Sequence, residues 1–368
     1  MSLSSLHIKN LRNLVEVRIE PAPRLNIIHG ANASGKTSLL EAIYLLGRAK
    51  SFRSSHLHII EGLGKNGFMV FGQVTGELGV AQPLGVHYEG GKIHMRAAGQ
   101  ALTQTAELVK RLPLLLITPD SHKILTLGPR QRRRFIDWGV FHVEHDFILA
   151  YRRYCRALRQ RNASLRTPGR FAPSEIWDNE LHEAADQIDG FRRDYLQQFL
   201  PLLTHFVEKL LPEHWNVSLR YLSGWAQDMT FREALTRSLE RDRLLGYTHK
   251  GPHRADVMIE AVGKPVQEHA SGGQQKLLMC ALYLAQAALF KARTQRQCII
   301  LLDDLPAELD AVHRHKLMAL LYEIGAQVMV TTTDKDLLKI PEGAEVKLFH
   351  VEQGVVVAQG DPLSPTGG

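Results

Sequence analysis

A run of small and polar residues near the start of the chain has the makeup of a phosphate-binding loop (P-loop). From Gly30 to Thr37 it reads Gly-Ala-Asn-Ala-Ser-Gly-Lys-Thr, between the apolar run Leu25 to Ile28 and a helical stretch that begins near Lys36. Such loops direct backbone N–H groups and a helix N-terminus at phosphate oxygens, while the lysine reaches the β- and γ-phosphates and the threonine binds Mg²⁺. A chance glycine-rich turn is the alternative. The residues expected to contact the nucleotide are Gly30, Ala31, Asn32, Ala33, Ser34, Gly35, Lys36, Thr37 and Ser38.

Two neighbouring carboxylates follow an apolar stretch late in the chain. Asp303 and Asp304 directly follow the apolar run Cys298 to Leu302. At the tip of a strand, Asp303 can hold the magnesium ion that Thr37 also binds. Asp304 would face the attacking water as general base, so Asp304 and Lys36 are the expected catalytic residues. A buried strand with a polar end would look the same, but a P-loop in the same chain favours the functional interpretation.

A second anion-binding pattern precedes a long apolar helix. Ser271, Gly272, Gly273 and Gln274, which we call the signature segment, stand before a helical stretch that continues to about Lys291. A hydroxyl and free N–H groups at a helix start can bind phosphate oxygens. One chain needs only one P-loop, so a second phosphate-binding segment predicts a site composed from two subunits. Alone, the segment would be an ordinary helix cap.

The composition of the whole chain limits the class of protein. Its 368 residues exceed one ordinary core, so we expect two lobes or a domain with an insertion. Hydrophobic residues make up 44% and charged residues 23%, and the net charge of +7 favours a polyanionic partner without requiring one. The three cysteines form no CxxC pair, which predicts a reducing compartment. No apolar run reaches membrane-spanning length, so we expect a cytoplasmic protein with no membrane partner.

The order of strand-like and helix-like stretches indicates a head interrupted by a helical insertion. Strand patterns precede the P-loop, recur up to Thr118 and return after Gly246, whereas residues 130–166 and 174–211 are helical. The apolar stripe from Trp177 to Leu210 is interpreted as core. We therefore predict an α/β head of residues 1–118 and 247–360, a helical hairpin domain of residues 119–246, and a disordered tail at 361–368.

The three motifs, in this order, resemble the ATP-binding-cassette (ABC) superfamily. Within it the chain is most similar to the branch that includes the SMC and Rad50 heads, and above all to the RecF family of DNA replication and repair proteins. The similarity covers nearly the whole chain. The segments that carry it, besides the three motifs, are Leu6 to Asn13, Lys50 to Arg53, Gly128 to Asp137, Gly251 to Arg254 with Asp256, and Ala307 to Asp310.

This resemblance implies an ABC/SMC-type ATPase head with a mixed sheet and an inserted, mainly α-helical domain. It also implies that the head binds ATP and Mg²⁺, forms a homodimer face to face, and binds DNA in an ATP-dependent manner. Slow, DNA-stimulated hydrolysis would reset the dimer, and the protein would help bring RecA to single-stranded gaps and duplex junctions with RecR and RecO. By its position, Arg12 matches the family's arginine that lies near the phosphates. Asp310 matches a residue of the loop that acts across the dimer.

The sequence departs from the pattern of the superfamily at three places. Asp304 stands where glutamate is usual, Ala307 replaces a serine, and Thr331 to Asp334 occupies the place of a histidine in transporters. A shorter base and a missing histidine both predict slow hydrolysis. Gln73 and Gln104 are both candidates for the glutamine of the family's Q-loop, and the sequence does not decide between them.

Basic residues concentrate in one part of the chain. From Thr118 to Arg170 there are 12 Lys and Arg against 4 Asp and Glu. Such a cluster favours sequence-independent contacts to DNA phosphates, as in a nucleoid-associated protein. A solvated helix face, or arginines paired with the acidic stretch Glu175 to Asp189, is the alternative. The candidate DNA contacts are Arg130, Arg132, Arg133, Arg134, Arg152, Arg156 and Arg159.

Three other classes of protein share some of these motifs. The ATPase subunit of a membrane transporter is disfavoured by the long insertion between P-loop and signature segment and by the basic cluster. A fragment of a coiled-coil SMC protein is disfavoured because the stripe from Trp177 to Leu210 is too short for a long arm. A scaffold that binds ATP without turnover remains an alternative.

Overall fold

The structure is a computed structural model that describes residues 1–76, 79–166, 177–304, 308–340 and 344–359. Ala307 and the expected disordered tail at 361–368 lie outside these residues. The chain divides into two compact units, Met1–Ser121 with Phe290–Gly368, and His122–Leu289. Among the described residues, no helix combines the length and apolarity needed to cross a membrane.

Strands are most frequent towards the two ends of the chain, and long helices are most frequent in its middle. In chain order the strands are β1 Ser2–Leu11, β2 Leu14–Ile19, β3 Leu25–His29, β4 Phe68–Thr75, β5 Ala81–Glu89, β6 Lys92–Ala97, β7 Gln100–Leu102, β8 Leu114–Ile117, β9 Val217–Leu222, β10 Asp256–Ala261, β11 Lys264–Pro265, β12 Ile299–Leu302, β13 Gln327–Thr332, β14 Val346–Glu352 and β15 Val355–Gln359. The helices are α1 Lys36–Arg48, α2 Thr105–Arg111, α3 Lys123–Thr126, α4 Gly128–Val143, α5 Phe147–Arg166, α6 Asp178–Leu210, α7 Phe231–Leu245, α8 Val266–His269, α9 Gly272–Thr294 and α10 Ala311–Ile324.

The first unit contains two six-stranded sheets. One is antiparallel, in the order β2-β1-β4-β5-β6-β7. Its strands alternate buried and more exposed residues, and Ile8 lies opposite both Val17 and Val70 on the buried face. The sequence pattern of period two had predicted strands in these segments, and this is confirmed.

The second sheet of this unit is mixed and carries the chemistry. Its order is β15-β14-β3-β13-β12-β8, in which only β15 runs antiparallel to its neighbour. Strands β3, β12 and β13 are buried along their whole length, as parallel strands covered on both faces are. Because these strands are parallel, their carboxyl ends meet at one edge of the sheet.

Helix α1 fills the core of the first unit. It is buried on nearly every side, with Leu39, Leu40, Ile43 and Leu46 all 0% exposed among side chains of both sheets. Burying each such side chain stabilises the fold by about 1.5–3 kcal/mol relative to leaving it exposed. The start of α1 is thereby held rigidly at the end of β3.

The second unit combines long helices with a small sheet. Helix α6 packs against α4, α5 and α7, and most of its apolar stripe is buried, so the interpretation of this stripe as core is confirmed. Strand β10 pairs with β9 along its whole length and with β11. For this reason residues after 247 group with the second unit up to Leu289, whereas the sequence pattern predicts a return to the head at 247.

Arginine–aspartate pairs hold this unit together from inside. Arg132 of α4 binds both carboxylate oxygens of Asp256 at 2.8 and 2.9 Å, and its side chain is only 6% exposed. Arg192 of α6 binds Asp137 at 2.8 and 3.0 Å in the same bidentate way. Such pairs are short and charge-assisted, and each leaves a costly buried charge if one partner is removed.

The buried pair of Arg132 and Asp256 predicts a large effect on stability. Asp256→Ala should lower the free energy of unfolding of the second unit by about 3–5 kcal/mol, because it leaves the guanidinium buried and unpaired. Urea denaturation measures this change. On the same strand, Glu260→Ala is the matched control, since it breaks only the more exposed pair with Arg220 and should cost less than about 1 kcal/mol. Equal losses for the two variants would contradict the structural role.

Candidate functional site

The P-loop connects β3 to α1 and needs glycine at both ends. Gly30 has φ +156°, and a Cβ there would lie 2.2 Å from the carbonyl oxygen of Val351. Gly35 has φ +123°, and a Cβ there would lie 2.9 Å from Nδ2 of Asn13. Neighbouring segments also fix the loop from outside: Asn13 Nδ2 and the N–H of Gly354 donate to the carbonyl of Ser34 at 2.9 and 2.8 Å. The loop is therefore preformed.

Lys36 lies across the mouth of this loop. Its ammonium donates to the carbonyl oxygens of Gly30 and Ala31 at 2.8 and 2.9 Å, and the residue is only 5% exposed. Both acceptors are neutral, so they orient the cation without cancelling its charge. A buried cation of this kind, beside the N-terminus of α1, attracts an anion such as a phosphate group.

The hydroxyl of Thr37 and the carboxylate of Asp303 meet at the edge of the mixed sheet. Thr37 Oγ1 donates to Asp303 Oδ1 at 2.9 Å, and Thr331 Oγ1 donates to the same oxygen at 3.0 Å. Burial raises the pKa of Asp303, and the two hydroxyls counteract this only in part. Hard oxygen ligands around a poorly compensated carboxylate suit Mg²⁺, which Thr37 and Asp303 would hold and which would neutralise phosphate charge.

Asp304 adopts a conformation that its residue type seldom takes. Its φ is +51°, and its N–H donates to Thr331 Oγ1 at 2.9 Å. One of its carboxylate oxygens, Oδ1, is buried without a hydrogen-bond partner among the described residues, and so is the hydroxyl of Ser34 in the P-loop. Strain and unsatisfied polar atoms cluster at ligand sites, where a bound molecule supplies the missing partner.

Arg12 reaches the P-loop helix through Glu41. Its guanidinium binds both oxygens of this carboxylate at 2.9 and 3.1 Å. Glu41 is 0% exposed and also accepts a hydrogen bond from Ser51, while Arg53 lies 3.8 Å away. We call Glu41, Arg12, Ser51 and Arg53 the Glu41 cluster. The contacts within this cluster attach the turn after β1 and the loop after α1 to the helix that follows the P-loop.

The signature segment begins α9 in the second unit. The N–H of Ser271 donates to Gln274 Oε1 at 2.9 Å, and the N–H of Gln274 donates to Ser271 Oγ at 3.3 Å, which is a reciprocal helix cap. Gly272 and Gly273 are exposed and have no left-handed φ. A Cβ on Gly272 would meet nothing within 4 Å, and one on Gly273 would lie 4.0 Å from the hydroxyl oxygen of Ser271, which is an ordinary contact. Nothing in the described part of the chain therefore requires glycine at these two positions.

The loop before α10 places Asp310 at the start of that helix. Its carboxylate accepts from the N–H groups of Val312 and His313, both at 3.0 Å. The hydrogen bond from the His313 N–H is the main reason why the pKa of this exposed carboxyl lies below its usual value. The geometry is that of a helix cap.

The candidate DNA contacts fall into two groups, and one of them needs correction. The sequence predicted Arg132 as a phosphate contact. Its side chain is buried and paired with Asp256, so it is not available for this role. Arg133 is also directed inward and donates to the carbonyl of Ala255 at 2.5 Å. In this run of arginines, the adjacent positions 132 and 133 thus serve packing, while 130 and 134 are exposed. The exposed candidates are Arg130, Arg134, Arg152, Arg156 and Arg159.

The acidic stretch on α6 takes up part of the basic charge of α5. Arg153 binds Glu180 at 2.7 Å and Glu183 at 3.2 Å. The alternative of arginines paired with this stretch therefore holds for Arg153, and also for Arg161, which binds Asp178 at 2.7 Å. The hydrogen bond from Arg153 is the main reason why the pKa of Glu180 lies below its usual value, and the charge of the exposed Arg156 adds to this effect. Arg159 is exposed and donates to the carbonyl of Cys155 in the same helix.

Sequence reasoning missed several residues that shape the site. Asn13 and Gly354 hold the P-loop from outside, and Thr331 links both aspartates. These contacts join segments far apart in the chain, and no local pattern marks them. For Glu41 a local signal of importance did exist. Its carboxylate interrupts an apolar stretch of a helix that is buried on nearly every side, where a charged residue is rarely found without a partner.

The chain matches known proteins along nearly its whole length. A family model described as the RecF/RecN/SMC N terminal domain matches residues 2–357. The sequence is 44% identical over 360 residues to the DNA replication and repair protein RecF of Stutzerimonas stutzeri (strain A1501), with 97% of each chain covered.

Two solved structures share the fold. One, described as the recombination mediator protein RecF-ATP in the RecFOR pathway, has a TM-score of 0.85 at 26% identity, with 97% of each chain covered. The other, an SmcHead bound to the C-winged helix domain of ScpA, has a TM-score of 0.60 at 16% identity, again with 97% of each chain covered. The expected ABC/SMC-type head with a mixed sheet is thereby confirmed, and the chain belongs to the RecF family of DNA replication and repair proteins.

Proposed function

We propose that this protein is an ATP-dependent DNA-binding protein of recombinational repair, in which slow ATP hydrolysis controls a homodimer. The hydrogen bond between Thr37 and Asp303 carries the proposal, because it joins the P-loop to the carboxylate pair at one point. A RecF structure described with ATP is similar to this chain over 97% of its length and supports ATP as the nucleotide. In this proposal Thr37 and Asp303 bind Mg²⁺, and Lys36 binds the phosphates.

The site favours slow rather than fast hydrolysis. Asp304 is the proposed group that accepts a proton from water, and its Oδ1 has no hydrogen-bond partner among the described residues. Aspartate is one methylene shorter than the usual glutamate, and Thr331 binds the two aspartates where transporters use a histidine. We infer that the nucleotide acts as a timer, and that DNA raises the rate of hydrolysis.

The signature segment supports a site shared between two copies of the chain. Gly272 and Gly273 are glycines that neither backbone conformation nor packing within the described chain explains. Glycine is useful where another molecule comes close to the backbone. We infer that the γ-phosphate held by the P-loop of one subunit contacts Ser271 to Gln274 of the other, with Asp310 nearby in the interface.

Exposed arginines of the second unit support DNA binding without base recognition. Arg130 and Arg134 on α4, and Arg152, Arg156 and Arg159 on α5, are exposed and belong to the most basic stretch of the chain. Their common feature is positive charge at the surface, which recognises phosphates and not bases. The similar RecF structure is described as belonging to the RecFOR pathway. By analogy, we propose RecR, RecO and RecA as partners of this protein, at gaps and duplex junctions near the nucleoid.

Changes at the P-loop and at the signature segment should separate nucleotide binding from dimerisation. Lys36→Arg should bind ATP but lose hydrolysis, because the larger head group misplaces the γ-phosphate. Ser271→Arg should keep nucleotide binding and abolish ATP-induced dimers. Sedimentation velocity with and without ATP, together with a filter-binding assay for ATP, measures both properties. A Ser271→Arg protein that still dimerises in ATP would show that the composite site is wrong.

Charge reversal at exposed arginines should weaken DNA binding evenly. Arg130→Glu with Arg134→Glu should lower the affinity for duplexes of any sequence and reduce the slope of log affinity against log salt by about one for each lost phosphate contact. The matched control is Lys92→Glu with Arg96→Glu, two exposed cations on β6. Arg132 stays unchanged in both, because its ion pair supports the fold. Equal affinity of the two variants in ATP would move the DNA path to another surface.

A further inference from the structure

Glu41 is a buried carboxylate next to the P-loop for which the proposed function has assigned no role. It lies on α1, one turn after Thr37, and is 0% exposed in a helix whose other buried side chains are mostly apolar. A charge in such a place is costly unless other groups compensate it. Its partners therefore indicate why the sequence keeps it.

Among the described residues, the partners of Glu41 come from two segments, the turn after β1 and the loop after α1. Arg12 binds both carboxylate oxygens, at 2.9 and 3.1 Å, in the bidentate geometry that fixes a guanidinium in plane and in direction. Ser51 donates its hydroxyl to Glu41, and the same hydroxyl oxygen accepts from the N–H groups of Arg53 and Ser54, each at 2.9 Å. One carboxylate thus orders a turn and a loop together.

The turn that carries Arg12 is also attached to the P-loop itself. The next residue, Asn13, donates to the carbonyl of Ser34 at 2.9 Å and accepts from the hydroxyl of Ser38 at 3.1 Å. Arg12 has φ +56°, and its N–H donates to the carbonyl of Ile60 at 2.9 Å, so its backbone has little freedom. The guanidinium is therefore held beside the loop by both backbone and carboxylate.

Arg53 is within electrostatic reach of the carboxylate end of the site. Its guanidinium lies 3.8 Å from Glu41, and its side chain is 45% exposed. Burial raises the pKa of Asp303, and the charge of Arg53 is among the influences that lower it. The charge of Arg53 therefore acts on Glu41 at close range and contributes to the field at Asp303.

Glu41 does not bind its two arginines equally. Arg12 forms a close ion pair at 2.9 Å and its side chain is 21% exposed, whereas Arg53 lies 3.8 Å away and is 45% exposed. A cation that is oriented but only loosely paired can still act on a polyanionic ligand. A merely structural ion pair would need only one of the two arginines.

We propose that Glu41 is a positioning residue that holds Arg12 and Arg53 together at the phosphate end of the site, so that both guanidinium groups act on the triphosphate during hydrolysis. This inference rests on the proposed ATPase function. Glu41 itself does not touch the nucleotide. It acts through the two arginines, as a shared support that keeps their separation and direction fixed while the charge on the phosphates redistributes.

The test uses the full-length protein with ATP and compares turnover with binding. Glu41→Gln keeps the shape and a hydrogen-bond acceptor but removes the charge that holds the arginines. The value of kcat should fall roughly 10- to 100-fold, as small misplacements of reacting groups produce. The dissociation constant for ATP should change much less, because no positive charge is lost. The stoichiometry of ATP binding gives the folded fraction. Glu16→Gln, on β2, is the matched control and should keep the wild-type kcat.

A set of neutral variants separates positioning from folding and remains decisive if Glu41→Gln alone does not fold. In a protein with Arg12→Gln and Arg53→Gln, the added change Glu41→Gln should leave kcat unaltered, since no guanidinium remains to be positioned. Wild-type kcat in Glu41→Gln, or a further loss in the triple variant, overturns the inference and leaves the ATPase proposal standing. Failure of the unaltered protein to bind ATP overturns both.

Discussion

The hydrogen bond between Thr37 and Asp303 is the contact on which the rest of the site depends. It joins residues 266 positions apart, and it forms because β3 and β12 flank β13 in a parallel sheet whose carboxyl ends coincide. The P-loop needs the buried helix α1 to start at the end of β3, and the carboxylates need β12 to end beside it. A sheet of fully buried strands and a helix buried on nearly every side supply this rigidity before any ligand binds.

Charged residues have two different tasks in the two units. In the second unit, Arg132 and Arg192 are each paired with one carboxylate, Asp256 and Asp137, and this favours one arrangement of helices over others. In the first unit, Lys36 is bound by neutral carbonyl oxygens that leave its charge in place, and Glu41 orients both Arg12 and Arg53. A positive charge that is ordered by neutral carbonyls is a preorganised site for an anion, and it needs no rearrangement when the ligand arrives.

The features of the molecule that could be predicted from its sequence are those that depend on local patterns. The P-loop, the strand that ends in Asp303 and Asp304, and the helical stripe of α6 each follow from spacing within a short window. The pairing of Arg132 with Asp256 was not predictable in this way, because it depends on a contact 124 residues apart, and a run of arginines looks the same whether it faces solvent or core. The roles of Thr331 and Asn13 were hidden for the same reason: ordinary polar residues become important only through the strands that bring them to the loop.

The central claim is that the P-loop is one half of a nucleotide site whose other half, the signature segment, belongs to a second copy of the chain. The most direct measurement mixes two inactive proteins, Lys36→Ala and Ser271→Arg, and records ATP hydrolysis of each alone and of the mixture. A shared site predicts that neither variant hydrolyses ATP alone, whereas the mixture recovers part of the wild-type rate, because a mixed dimer contains one intact P-loop facing one intact signature segment. A mixture as inactive as its components would contradict the account.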